Sequence, residues 1–331
     1  MGEQPLPGGA RGLQEAARWR LAVRVLVTGG AGFIGSHVAE ALLAAGHEVL
    51  VLDDLSAGDT ANVPAGARFV RVDLCDRAAV LEAVKAFRPE EVNHHAAQTN
   101  LRFSVENPMA DARANVLGTL HLLEAALAVG TRRFLYASTG GAIYGEPARL
   151  PADEGTPVQP LAPYGFHKFL GEEVLRLLAS GGRIATCTLR YGNVYGPRQN
   201  PKGEAGVVAI FATQLLRGAR PTIFGDGSKT RDYVFVEDVV RASLLAMEKA
   251  PPGACYNIGT GQPTTDQRIF DLVRAAVGAN LTPIYGSKRP GEVDHIYLDC
   301  RRAERELGWR PTVSLDEGIR RTVAFYRAKA N

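Results

Sequence analysis

Val25-Leu26-Val27-Thr28-Gly29-Gly30-Ala31-Gly32-Phe33-Ile34-Gly35 decides how the rest of the chain is read. It begins as a short β-branched apolar run, the pattern of a buried strand. It turns through glycines at the spacing G-x-x-G-x-x-G and enters a helical apolar pattern at Val38, Ala41, Leu42 and Ala45. Gly29 permits a tight turn, Gly32 lets backbone N–H groups approach a pyrophosphate, and Gly35 lets helix and strand pack closely. An anion held there meets the free N–H groups and the dipole of a helix N-terminus. A lone glycine motif also describes an ordinary strand-to-helix turn. Here strand, glycines, helix, second strand and acid follow in the order that dinucleotide binding requires.

The acid ends the second strand, residues 48–53. Asp53 lies about twenty residues beyond the glycines, where a carboxylate grips a ribose 2′-hydroxyl and repels a 2′-phosphate. That favours NAD over NADP. Its neighbour Asp54 also suits a plain turn or cap role.

Further strands are expected over 68–73, 91–95, 133–138 and 184–190, with helices over 78–87, 108–129 and 163–180 between them. This βαβ alternation implies a parallel sheet covered on both faces. Right-handed crossovers then give a doubly wound, Rossmann-type α/β fold with ligands at the carboxyl ends of its strands. After Tyr191 the rhythm breaks. Residues 196–206, rich in Gly, Pro and Asn, read as loop, and helices follow over 239–249, 266–277 and 315–327. The expected organisation is an NAD-binding domain over 21–190 and a smaller, mainly substrate-binding lobe over 191–331, with some segments returning to the first domain.

The 331 residues suffice for a large buried core, and a net charge of +3 gives no reason to expect nucleic acid or a membrane surface as partner. No apolar run reaches membrane-spanning length. The four cysteines, Cys75, Cys187, Cys255 and Cys300, are scattered without a C-x-x-C. They read as reduced thiols of a cytoplasmic protein and not as a metal site. Residues 1–20 contain Pro5, Pro7, Gly8 and Gly9 and lack the apolar core of a secretion signal. They read as a disordered extension.

Chemistry is expected from Tyr164-Gly165-Phe166-His167-Lys168. Tyr164 and Lys168, four apart near a helix start, share a face. A phenol ordinarily titrates near 10, so an ammonium one turn away and a cationic nicotinamide are needed to favour phenolate. Such a pair can take a proton from a sugar hydroxyl and return it. An exposed Tyr–Lys helix pair is common by itself, and the dinucleotide motif ahead of it gives the spacing its meaning. Ser138-Thr139-Gly140-Gly141 ends the fifth strand, where a hydroxyl can hold the reacting oxygen. Turn formation is the plainer role for one of the two hydroxyls.

Thr28–His37, Ser138–Gly145, Tyr164–Lys168 and Arg190–Arg198 together resemble the extended short-chain dehydrogenase/reductases. Within them the chain resembles the bacterial UDP-glucose 4-epimerases. The narrower likeness rests on residues 138–145, Gly203-Glu204-Ala205-Gly206-Val207-Val208 and Arg231-Asp232-Tyr233-Val234. It runs from about Val23 to the last helix.

The resemblance implies an NAD-dependent C4 epimerase acting on a UDP-hexose, built as a homodimer through the 108–129 and 163–180 helices. It implies Phe33 and Ile34 under the pyrophosphate, Asp53, Asp54, Leu55, Ser56 and Gly58 at the adenosine ribose, and Asp73 and Leu74 at adenine. His95, Ala96, Ala97 and Gln98 would pass the nicotinamide ribose, supported by Asn115. Tyr164 would be the base, with Lys168 holding it and the ribose, and Thr139 bonding the sugar hydroxyl. Asn193, Val207, Arg231 and Arg289 would bind UDP, a guanidinium fork matching a diphosphate.

The chain departs from the family's Ser-x-x-Val-Tyr-Gly by one residue at 139–145. It places Gly206 where some relatives carry an asparagine near uracil, and Ile296 at the position gating the hexose pocket. A 4,6-dehydratase needs an acid and a base beside the threonine, where this chain has Gly140 and Gly141. UDP-glucuronate and UDP-GlcNAc 4-epimerases, decarboxylases and a non-catalytic NAD sensor are the other readings.

Overall fold

The computed structural model describes residues 22–202, 206–288 and 292–330. The 1–20 extension and Arg289 lie outside the described residues.

The chain opens with β1 (Arg24–Thr28), α1 (Phe33–Ala44), β2 (Glu48–Asp53), β3 (Arg68–Arg71), α2 (Arg77–Phe87) and β4 (Glu91–His94). Next come α3 (Leu101–Glu106), α4 (Pro108–Ala112), a π turn (Arg113–Leu117) and α5 (Gly118–Val129). β5 (Arg133–Thr139), α6 (Pro163–Ser180) and β6 (Ala185–Tyr191) complete the first half. The second half holds β7 (Asn193–Tyr195), α7 (Val207–Leu216), β8 (Thr222–Phe224), β9 (Thr230–Phe235) and α8 (Val236–Lys249). It continues with β10 (Ala254–Ile258), β11 (Pro263–Thr265), α9 (Asp266–Val277), β12 (Ile284–Gly286), α10 (Arg301–Leu307) and α11 (Leu315–Ala330).

Seven parallel strands run β3-β2-β1-β4-β5-β6-β10. This is the expected doubly wound sheet. Side chains alternate across it. Val25 and Val27 join Val38, Leu42, Leu189 and Val239 on one face, while Leu26 joins Val84, Leu122, Phe134 and Leu175 on the other. Each such buried aliphatic contributes about 1.5–3 kcal/mol through the area removed from water. The seventh strand, β10, comes from the second half, and α8 packs on the sheet beside α1. The remaining strands form two small sheets, β11-β9-β7 and β12-β8. With α7, α9 and α11 they enclose a separate core around Phe211, Phe235, Phe270 and Tyr326.

Strand order reverses between β1 and β4, and that crevice is where an open α/β sheet binds ligands. The single long helix expected over 108–129 is α4, the π turn and α5 in succession. The wider turn carries Asn115, whose amide brackets the Gln98 backbone. Gln98 N donates to Asn115 Oδ1 (3.0 Å), and Asn115 Nδ2 donates to Gln98 O (2.9 Å). Local widening of this kind recurs at functional sites.

Candidate active site

The glycine turn fits a dinucleotide through its backbone. Gly29 has φ +67, and a Cβ there would lie 2.7 Å from the Ala96 amide nitrogen. A Cβ at Gly35 would overlap the Gly29 carbonyl oxygen, so α1 packs this closely on β1 only with glycine at 35. Gly32 occupies the N-cap without a side-chain cap. The first N–H groups of α1, those of Phe33 and Ile34 among them, are therefore left for an anion.

Asp53 closes β2 nearly buried. Its Oδ2 accepts from Ala31 N (3.0 Å) and its Oδ1 from Leu55 N (2.8 Å). Burial pushes this carboxyl up from the ordinary range despite those two bonds. Each oxygen keeps a lone pair for a ribose hydroxyl. Gly58 folds against Asp53, and Asp54 accepts from Ser56 N at 2.8 Å. Beyond β3, Asp73 accepts from Cys75 N (2.8 Å) and Leu74 is buried.

At the end of β4, His94 is fixed by Thr28 Oγ1 (2.6 Å) and Thr119 Oγ1 (2.9 Å), and burial holds it neutral. His95 is different. Both of its ring nitrogens are buried without a hydrogen-bond partner, and the ring stacks on Tyr191 with centroids 6.1 Å apart and planes at 9°. Burial, reinforced by Lys168, pulls its pKa to about 3. Orphaned polar atoms beside the β1–β4 crevice are what a cofactor edge would satisfy. With Ala96, Ala97 and Gln98 following, the residues at this crevice fit NAD.

Tyr164 and Lys168 stand on the first two turns of α6. Burial raises the Tyr164 phenol well above its usual value, the Asp111 carboxylate adds to this, and a hydrogen bond with Thr139 works against it. Lys168 is buried, which brings its ammonium down to about 7, while Glu172 and Asp111 resist that fall. Its Nζ lies 4.1 Å from the centroid of the Tyr136 ring. The ammonium expected to favour phenolate is thus itself weakened by burial, and desolvation dominates the phenol.

The two hydroxyls at the end of β5 take separate paths. Ser138 is buried and donates to Glu172 Oε1. Glu172 also receives the Arg190 guanidinium, with Nη2–Oε2 at 2.6 Å and Nε 3.1 Å from each oxygen. Arg190 Nη1 donates to Tyr144 Oη (2.9 Å), which donates to Asn257 Oδ1 (2.7 Å). This network ties α6 to β5, β6 and β10. Ser138 is committed to it, whereas Thr139 meets Tyr164. Asp111, Glu172 and Arg190 were not foreseen from the sequence. The only signal for Glu172 was its position four residues past Lys168, and for Asp111 its position four before Asn115.

The second half supplies the facing wall. Asn193 starts β7, and its Oδ1 would lie 3.1 Å from a Cβ at Gly141. Val207 is the first residue of α7. Arg231 on β9 donates from Nη1 to Thr230 O (2.9 Å) and Asp294 O (3.2 Å), and from Nη2 to Val293 O (2.5 Å). It therefore braces the segment that carries Ile296. Ile296 is buried with Ile143, Tyr144 and Leu298.

A model of the NAD dependent epimerase/dehydratase family matches residues 25–259. A putative UDP-glucose 4-epimerase of Methanocaldococcus jannaschii is 46% identical over 303 residues, 92% of this chain and 98% of that one. The crystal structure of UDP-glucose 4-epimerase from Thermotoga maritima with UDP-glucose superposes with a TM-score of 0.91 at 45% identity, covering 93% of this chain and 100% of that one. The Thermus thermophilus UDP-glucose 4-epimerase in complex with NAD gives 0.88 at 46% identity, covering 92% and 99%. The chain belongs to the NAD-dependent epimerase/dehydratase family.

Proposed function

We infer that the protein is an NAD-dependent UDP-glucose 4-epimerase, which inverts C4 of UDP-glucose and UDP-galactose through a transient 4-keto sugar. NAD⁺, when bound, supplies the hydride acceptor and a positive ring beside the phenol. Tyr164 takes the 4-hydroxyl proton and gives it back to the opposite epimer. Thr139 holds the same oxygen, and Lys168 orients Tyr164 and the nicotinamide ribose. Asn193, Val207, Arg231 and Arg289 hold the UDP end, whose binding energy anchors the substrate while the keto sugar turns.

The observation that carries this over a dehydratase is the space beside Thr139. A Cβ at Gly140 would lie 2.6 Å from Leu298 Cδ1, and one at Gly141 would crowd Asn193. Glycines at 140 and 141 carry no side chain, so neither position can supply the acid or the base that removing water across C5 and C6 requires. Ile296 walls the hexose pocket, which favours unmodified hexoses over acetamido sugars.

Two coarser features belong to the same reading. Phe103, Val105, Met109, Leu117, Phe166 and Leu177 are exposed apolar side chains on α3, α4, the π turn and α6. Pairing of these helices across a twofold axis would cover them in a homodimer. The four cysteines carry no disulfide, in keeping with a cytoplasmic setting. The test is incubation of purified protein with UDP-galactose followed by chromatography. UDP-glucose is the expected product, and a 4-keto-6-deoxy sugar nucleotide would replace this reading with a dehydratase.

A further inference from the structure

Asp111 on α4 has a fully buried side chain, and among the described residues no Lys or Arg nitrogen lies within salt-bridge distance of it, Lys168 acting on it only from farther away. A buried carboxylate costs several kcal/mol unless it is paired and hydrogen-bonded. Its partners are therefore informative. Oδ1 receives Gln98 Nε2 and Asn115 Nδ2, the latter at 3.2 Å. Oδ2 lies 2.5 Å from His167 Nδ1. Gln98 and Asn115 form the edge of the crevice assigned to the cofactor. His167 sits between Tyr164 and Lys168 in the sequence of α6, and its side chain is 13% exposed. One carboxylate therefore joins the cofactor edge, the catalytic helix and a titratable ring with access to solvent.

The charge of Asp111 acts on both members of the catalytic pair. It opposes phenolate at Tyr164 and supports ammonium at Lys168. The other titratable groups facing this cluster are Glu172 from α6, His94 at the end of β4, His95 just beyond it, and Tyr136 from β5. Of the titratable side chains here, it is His167 that makes direct contact with the Asp111 carboxylate.

We propose that Asp111 and His167 form an acid–imidazole pair that positions the Gln98–Asn115 edge and sets how readily Tyr164 gives up its proton, with His167 as the counter-charge to Asp111. Both are positioning residues, and the proposal rests on Tyr164 being the base. A protonated imidazole makes the pair neutral overall. Without that ring the carboxylate acts on the phenol uncompensated.

The test compares His167→Gln, Asp111→Asn and the double variant in NAD-loaded protein, with UDP-galactose as substrate. His167→Gln keeps a donor toward Asp111 but carries no charge. It should move the acid limb of the kcat profile upward by about one pH unit, the scale of a nearby charge effect. KM should stay within about twofold, because ground-state binding is untouched. Asp111→Asn added to it should return the limb toward its original position. The phenolate absorbance that vanishes in Tyr164→Phe should shift by the same amount and direction, independently of turnover. His167→Asn gives a second chance if the glutamine variant does not fold. An unmoved limb and unmoved absorbance, or a shift that Asp111→Asn does not reverse, overturns the proposal. If Tyr164→Phe itself turns over normally, the base assignment has failed instead.

Discussion

The partly buried glycine turn between β1 and α1 and the buried acid cluster behind α6 lie at the two ends of the proposed active site, yet they are built in opposite ways. The turn works through backbone. Its N–H groups, a positive φ at Gly29 and the missing Cβ of Gly35 make the site, and everything needed lies within eleven consecutive residues. The cluster works through charge. Asp111, Glu172, Arg190, His167 and Lys168 come from α4, α6 and β6, and none does anything recognisable alone. A backbone site tolerates many side chains around it and few at the glycines. A charge cluster responds to any member's loss, because each buried charge is held by the others.

The largest expected effect lies at Tyr164, the phenol that the cluster's charges act on. Tyr164→Phe keeps the ring and the packing of α6, so NAD should still be found in the purified protein. Turnover should fall by about 10²–10⁴, the worth of a positioned general base. Near-normal turnover with NAD retained would mean that the base lies outside α6.

Gly35→Ala should act in the other way. The new methyl meets backbone, which cannot rotate away, so α1 must move off β1. Overpacking of this kind costs about 1–3 kcal/mol. The NAD content of purified protein should fall by about tenfold, the equivalent of 1.4 kcal/mol. Full NAD content in this variant would show that the turn is looser than the Gly29–Gly35 approach indicates.

Lys168→Met separates stability from activity. An ammonium that titrates near 10.5 in the unfolded chain and at about 7 in the native site destabilises the fold. That cost is present in full below about pH 7 and fades as pH rises toward 10.5, because the unfolded chain binds the extra proton in that window. Its upper bound is about 5 kcal/mol. That bound already includes the support of Asp111 and Glu172 for the ammonium, and relaxation and water penetration around the buried cation reduce it, so a net gain of about 1–2 kcal/mol is expected at pH 7. Denaturant melts should show that gain shrinking by pH 10, with activity lost throughout. A variant less stable than the parent at pH 7 would mean that the lysine's partners outweigh its burial.

The same contrast explains what was legible in the sequence. The β1–α1–β2 unit and the parallel sheet could be read because buried parallel strands are apolar throughout and crossover helices are periodic. β10 escaped because Asn257 interrupts its apolar run. Tertiary bonds to Ala152 O and Glu154 satisfy that residue, and no local pattern shows them. α7 escaped because its Val-Val-Ala-Ile-Phe-Ala opening is apolar on every side and offers no periodicity. The π turn leaves no gap in a helical pattern. Ser138 and Thr139 were equivalent as letters. The family resemblance favours Thr139, and the physical reason is that Glu172, thirty-four residues on, takes Ser138. No local pattern marks Asp111 or Glu172 as buried; the fold closes over both.

The most direct test of the account follows a label through the reaction. UDP-galactose carrying deuterium at C4 is incubated with the purified protein in ordinary water, and the product is analysed by mass and proton NMR. Hydride removal and return within one closed site predicts UDP-glucose with the deuterium retained at C4. UDP-glucose with hydrogen at C4, or deuterium delivered to C6 of a 4-keto sugar, would contradict it.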